Sequence, residues 1–242
     1  MKKGNILLFM ALLFISCNVN CSESGRGLFG NGNIKTETRN VADFTEIKNA
    51  GSIDVEIIAG NKFELKVEDD ENLLPHIITE VKDGALHIYY DSDFSINESH
   101  GKVMVEVPTL NKITSSGSGD IKIDGTLKNT KEIIITSSGS GDLEGSVDAP
   151  SVQLSNSGSG DVELKGQSQN FVCKTRGSGD VKCRNLKSEN VTVSVAGSSD
   201  VSVFASVSLK VNIAGSGDVT YSGNPTSPDI SIAGSGTVNK AD

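Results

Sequence analysis

Six aspartates recur along the second half of this chain: Asp120, Asp142, Asp161, Asp180, Asp200 and Asp218. Five of them close a Gly-Ser-Gly-Asp tetrapeptide, and Asp200 closes the variant Gly197-Ser198-Ser199-Asp200. If the repeats stack, these side chains form a row. Carboxylates about 5 Å apart repel by roughly 1 kcal/mol in water, so something must offset the row. One reading is a Ca²⁺-binding ladder, because hard oxygen ligands suit that ion. The Ca²⁺-binding β-helix repeat carries Gly-Gly-x-Gly-x-Asp about every nine residues. Here the period is about twice that and the Gly-Gly pair is missing. The plainer reading is that each Asp accepts hydrogen bonds from backbone N–H groups of its own turn. No metal or other cofactor is expected on that reading.

Enzymatic chemistry finds little support. A polysaccharide lyase or hydrolase needs clustered acids beside Arg, Lys or His. His76, His87 and His100 all precede the repeats, at no metal-like spacing. The acids fall at regular structural positions, which marks them as architectural. No Ser-His-Asp arrangement is visible, and Gly-Ser-Gly lies between strands with no helix after it, so it is not a phosphate loop. Cys173 and Cys183 flank one corner at matching distances, both on inward positions. An oxidising compartment allows a disulfide between them. Packed sheets stand about 10 Å apart, beyond the roughly 7 Å Cα limit for that bond, although a tight corner narrows the gap. Two buried thiols are the favoured state.

The elements that carry these residues follow from the repeat. The first glycines are Gly117, Gly139, Gly158, Gly177, Gly197, Gly215 and Gly234, at steps of 22, 19, 19, 20, 18 and 19. A period near 20 is a solenoid signature. Two, four and six residues before each glycine, apolar side chains alternate with polar ones, as in Val191, Val193 and Val195. Four residues after it stand Ile121, Leu143, Val162, Val181, Val201, Val219 and Val238. Period-two alternation on both sides of a glycine corner means two half-buried strands. Val, Ile, Thr, Ser and Gly are poor helix formers. Stacked parallel coils would set like residues in columns about 4.8 Å apart, making a core without large rings. The first glycine is present in every repeat while the second becomes Ser199 once, which predicts φ > 0 at the first position. Thr237, Lys240, Asp242, Pro225 and Pro228 suit a blunted final coil, and residues 40–110 must cover the other end.

Composition agrees. Hydrophobic residues make up 36% and aromatics 5%, Trp is absent and Gly numbers 26, so small β-branched side chains must fill the interior. The net charge of −9 becomes −11 if a leader carrying Lys2 and Lys3 is removed. Such a chain repels nucleic acid. Residues 1–16 read as a leader, with an apolar stretch from Ile6 to Ile15 too short to span a bilayer. Phe14-Ile15-Ser16-Cys17 resembles a bacterial lipobox, with Phe14 where Leu is usual, and this makes Cys17 the lipidation site. Buried acyl methylenes contribute about 0.8 kcal/mol each, so several chains anchor the protein to a membrane. Residues 17–40 read as that anchor and a flexible linker. One β-helix domain then spans 41–238, with irregular coils over 41–110 and regular ones over 111–238. The 66 residues from Gly51 to Gly117 leave room for about three further coils, and Glu71–Glu80 holds a turn or short helix.

A resemblance appears in Phe44-x-x-Ile47, the corner Gly51-Ser52-Ile53-Asp54-Val55, Asn72-Leu73-Leu74, Leu86-x-Ile88, Val105-x-Val107-Pro108-x-Leu110 and the serial Gly-Ser-Gly-Asp turns. Over about residues 40–238 these resemble the head GIN domain family of auto-transporter adhesins. The resemblance implies a right-handed parallel β-helix like that of pectin lyases, an envelope location and an adhesive role. The lipobox adds an outer-membrane lipoprotein of a Gram-negative bacterium, on either membrane face. The resulting expectation is a non-enzymatic adhesin or scaffold module with a protein or glycan ligand. Homo-oligomers through flat solenoid faces are compatible with it. The alternative is a carbohydrate-binding or lyase-like surface protein.

Overall fold

The structure is a computed structural model that describes residues 26–97 and 99–241. The leader, Cys17, Cys21 and the start of the expected linker lie outside those residues. The described elements are strands, apart from a 3-10 turn at Leu74–His76 where a turn or short helix was expected.

The fold is a parallel β-solenoid, and two columns of inward side chains define it. The first runs Leu86, Ile47, Ile113, Ile135, Leu154, Cys173, Val193, Val211 and Ile230, each in register with the next. The second runs Val103, Val55, Ile121, Leu143, Val162, Val181, Val201, Val219 and Val238. Period-two alternation sends these side chains inward and their neighbours out. Long strands such as Leu143–Asn156 and Val162–Thr175 continue from the second column around a further face to the next rung. Beside the corner the apolar alternation breaks: Asn49, Ser115, Ser137, Asn156 and Thr175 form a buried polar row. Asn49 Nδ2 donates to the Ile53 carbonyl at 2.7 Å and Asn156 Nδ2 to the Gly160 carbonyl at 2.9 Å, each tying its own corner together.

The rungs do not stack in chain order at the N-terminal end. Glu46–Gly51 lies between Ala85–Tyr90 and Lys112–Gly117, parallel to both. Gly51 is the direct register partner of Gly117, so the expected three further coils do not lie between them. The intervening chain builds one outer rung and a cap. Glu64–Asp70 runs antiparallel to Lys102–Val107, and Ile77–Lys82 antiparallel to Ala85–Tyr90. Hairpin pairing closes the end because a strand turned back on the outer rung uses its open edge.

The expected linker is corrected too. From Arg26 on it is strand: Arg26–Phe29 pairs with Phe94–Asn97, and Ile34–Arg39 pairs antiparallel with Glu64–Asp70. The Arg39 guanidinium fastens this edge, donating to the carbonyls of Leu74 and Ile77. A short polar strand can be held by ladder bonds and one anchored side chain, neither of which shows as an apolar pattern.

The reason for the corner glycines is also corrected. Left-handed φ occurs at Gly51 (109°) and Gly234 (143°), but at none of the six corners from Gly117 to Gly215. What those six need is close approach. A Cβ on Gly139 or Gly158 would lie 1.7 Å from the carbonyl oxygen of Gly117 or Gly139, the corner glycine of the adjoining rung. The second glycines are nearly as tight, with Gly160 at 2.1 Å from the Gly141 oxygen. Left-handed glycines sit elsewhere, at Gly125, Gly166 and Gly223. Gly158→Ala should therefore destabilise the fold by about 1–3 kcal/mol through overpacking. Gly197→Ala, whose Cβ would meet the Gly177 oxygen at 2.4 Å, should cost less. Urea midpoints of the two variants test the ranking.

Candidate functional site

The aspartates do form a row, with Asp161 and Asp180 half-buried and the other four exposed. Their hydrogen bonding differs from the expectation. Each carboxylate serves the neighbouring rung and not its own turn. Asp142 N–H donates to Asp120 Oδ1 at 2.8 Å, Asp161 N–H to Asp142 Oδ1 at 2.7 Å and Asp180 N–H to Asp161 Oδ1 at 2.9 Å. Asp200 and Asp218 continue the series at 3.2 and 2.9 Å. The following residue bonds the same neighbour: Leu143 N–H donates to the Asp161 carbonyl at 2.9 Å and Val162 N–H to the Asp180 carbonyl at 2.8 Å. Each step therefore joins two rungs by one side-chain and one backbone bond, and the charge-assisted bond is the stronger kind. This offsets the repulsion along the row.

Asp54 belongs to the row as well, because its Oδ1 accepts from Asp120 N–H at 2.9 Å. Sequence reading found its corner but left it out of the row, since 66 residues separate it from Asp120. At the far end Thr237 N–H donates to Asp218 Oδ1 at 2.7 Å. Thr237 needs no carboxylate, as no described rung beyond it offers an N–H to accept.

A groove of about 510 Å³ runs beside the row. Its walls carry Asp54, Asp120, Asp142 and Asp161 together with Glu56, Glu144 and Glu163, and three lysines lie among them. Those lysines are engaged: Lys102 with Glu56 at 2.7 Å, Lys122 with Glu144 at 3.1 Å and Lys182 with Asp161 at 2.8 Å. The Lys182 ammonium, helped by the Asp180 N–H, holds Asp161 below the ordinary aspartate value. Among the described residues, no three His, Cys, Asp or Glu side chains are grouped to hold a metal ion. The histidines stand away from the groove, at the capped end: His76 packs on Phe94 with ring centres 4.3 Å apart, and His100 Nδ1 lies 3.7 Å from Asp70. The groove thus offers charge and hydrogen bonds, with no nucleophile–base pair on its walls.

Residues 43–225 match the family described as "Putative auto-transporter adhesin, head GIN domain". This chain belongs to that family. A crystal structure from Bacteroides fragilis NCTC 9343, described as a "putative adhesin", is 26% identical to this head GIN protein. It superposes with a TM-score of 0.83, covering 89% of this chain and 100% of its own. A structure from Parabacteroides distasonis ATCC 8503, described as "Putative lipid binding protein", is 27% identical with a TM-score of 0.75, covering 90% and 100%. A second structure from that organism, described as a "putative adhesin", is 22% identical with a TM-score of 0.75, covering 89% and 100%, and shares the fold. No curated protein matches the chain.

Cys173 and Cys183 of this head GIN protein are free and fully buried. Cys173 fills a place in the first column between Leu154 and Val193, so its sulfur acts as a core group. Burial pushes the Cys173 thiol up to about 12 and raises Cys183 as well, with Cys173 adding to the effect at Cys183. Thiolate is the reactive form, so neither should react at neutral pH.

Asp142→Ala removes the acceptor for Asp161 N–H and should lower stability by about 0.5–1.5 kcal/mol. Asp142→Asn keeps an acceptor oxygen and should lose less, as thermal unfolding would show. A thiol reagent should leave Cys173 and Cys183 unmodified in the native protein and label both in urea, read by peptide mass spectrometry.

Proposed function

We propose that this head GIN protein is a non-enzymatic adhesin or scaffold module of the cell envelope, carried on the outer membrane as a lipoprotein through Cys17. Membership of the adhesin family is the observation that carries the adhesive role. Two features support the non-enzymatic part. The regular acids act as couplings between rungs, and the lysines beside them are ion-paired. The lipobox Phe14-Ile15-Ser16-Cys17 supports the anchor. With the anchor at one terminus, the solenoid acts as a rigid body held off the membrane.

A protein or a glycan is the ligand class this reading admits. A lipid ligand, suggested by the name of the P. distasonis relative, fits less well. The groove beside the aspartates is walled by carboxylates and lysines, which an acyl chain would desolvate without compensation.

Protease shaving of intact cells tests the reading, together with attachment assays on a deletion strain. Release of solenoid peptides from intact cells and reduced attachment are expected. Full protection of the protein inside the envelope, with unchanged attachment, would overturn an adhesive role at the surface. Turnover of any member of a polysaccharide panel would overturn the non-enzymatic part.

A further inference from the structure

The two ends of the stack are finished in opposite ways. At one end the outer rung is closed: Leu86, Ile88, Val103 and Val105 are fully buried beneath antiparallel strands. The strands on that side carry alternating charges, Lys35, Glu37 and Arg39 on one and Glu80 and Lys82 on the other. Charged edge strands discourage further pairing.

At the other end no described strand covers the core columns. Ile230 and Ile232 are the register partners of Val211 and Ile213, which are buried. Their own exposures are 42% and 44%. Every residue of Asp229–Gly234 is exposed, and among the described residues no strand pairs with its outer edge. The blunted edge expected from sequence is therefore only partly present. Pro225 and Pro228 interrupt one face, but the two faces that carry the columns stay open. This rung is also nearly uncharged. Residues 223–242 hold only Asp229, Lys240 and Asp242, in a chain of net charge −9. Asp229 is paired with Lys210 at 2.9 Å. Thr237 stands where six other rungs of the repeat have an aspartate.

We propose that this open end docks against the same end of a second copy, forming a two-fold dimer. The partner must supply strand edges and apolar columns on two faces at once, so a lone added strand would leave one column uncovered. It must also be uncharged there, because an aspartate at the Thr237 position would face its own mate across a two-fold axis. The same end of another copy meets both conditions. The capped end meets neither, since its columns are closed and its edges charged. Such contact continues outward the rung-to-rung packing already inside the molecule. Strands Asp229–Gly234 of the two copies would run antiparallel, and the symmetry closes the assembly at two. The inference stands apart from the adhesive reading.

Sedimentation equilibrium of the full chain in density-matched detergent tests it. A monomer–dimer equilibrium is expected. Ile230→Lys combined with Ile232→Lys should weaken it by about tenfold or more, because two charges would enter a desolvated contact. Ile34→Lys, at the capped end, should leave it unchanged. Hydrogen exchange at residues 229–234 of the unaltered protein should slow as concentration rises, and this readout does not depend on any variant folding. A monomer at every concentration would overturn the proposal. So would growth beyond the dimer, a dimer sensitive only to Ile34→Lys, or exchange at 229–234 independent of concentration.

Discussion

Rungs of a parallel solenoid hydrogen-bond backbone to backbone, and at the corner this bonding brings Gly139 so close to Gly117 that a β-carbon would lie 1.7 Å from its carbonyl oxygen. Much else depends on that spacing. Two glycines per corner allow it, with Ser199 the one side chain in either column at the corners from Gly117 to Gly234. Ser199 is fully buried, and its Oγ donates to the Gly177 carbonyl at 3.1 Å. Once the backbones are this near, like residues stand in columns. Valine then packs on valine, and each aspartate lies within reach of the next rung's N–H. The repetition of sequence and the repetition of contacts are one fact.

The aspartate row shows how a chemical suggestion turns into an architectural one. Spaced carboxylates invite a metal reading when seen alone. In place, one oxygen of each accepts the N–H of the next rung, from Asp54 through to Asp218. The exception fits the role: the last described corner has Thr237, and no described N–H lies beyond it. A row committed to holding rungs together is poorly free to act on a substrate. That agrees with a groove whose lysines are already paired.

Assembly from the N-terminal side is unusual for a repeat protein. Residues 46–59 form an inner rung and must wait for 112–124 on one side and 85–107 on the other. These pairings are far apart in sequence, so this end closes more slowly than a stack built in order. The benefit is a sealed, charged cap. Among the described residues the opposite end follows strict chain order, and no hairpin folds back over its columns.

Much of the regular half was legible from sequence. Steps near 20 residues, apolar alternation and the Gly-Ser-Gly-Asp tetrapeptide determine parallel coils, inward valines and outward aspartates, because each of these depends on local periodicity. The irregular half was less legible. The strands Arg26–Phe29 and Ile34–Arg39 are short and polar, and their partners are long-range. The place of Asp54 in the row depends on a contact across 66 residues that no periodicity reports. The glycine columns could be seen, but their cause could not. A φ preference and a steric ceiling both write Gly into a sequence, and only the position of the adjoining rung's carbonyl tells them apart.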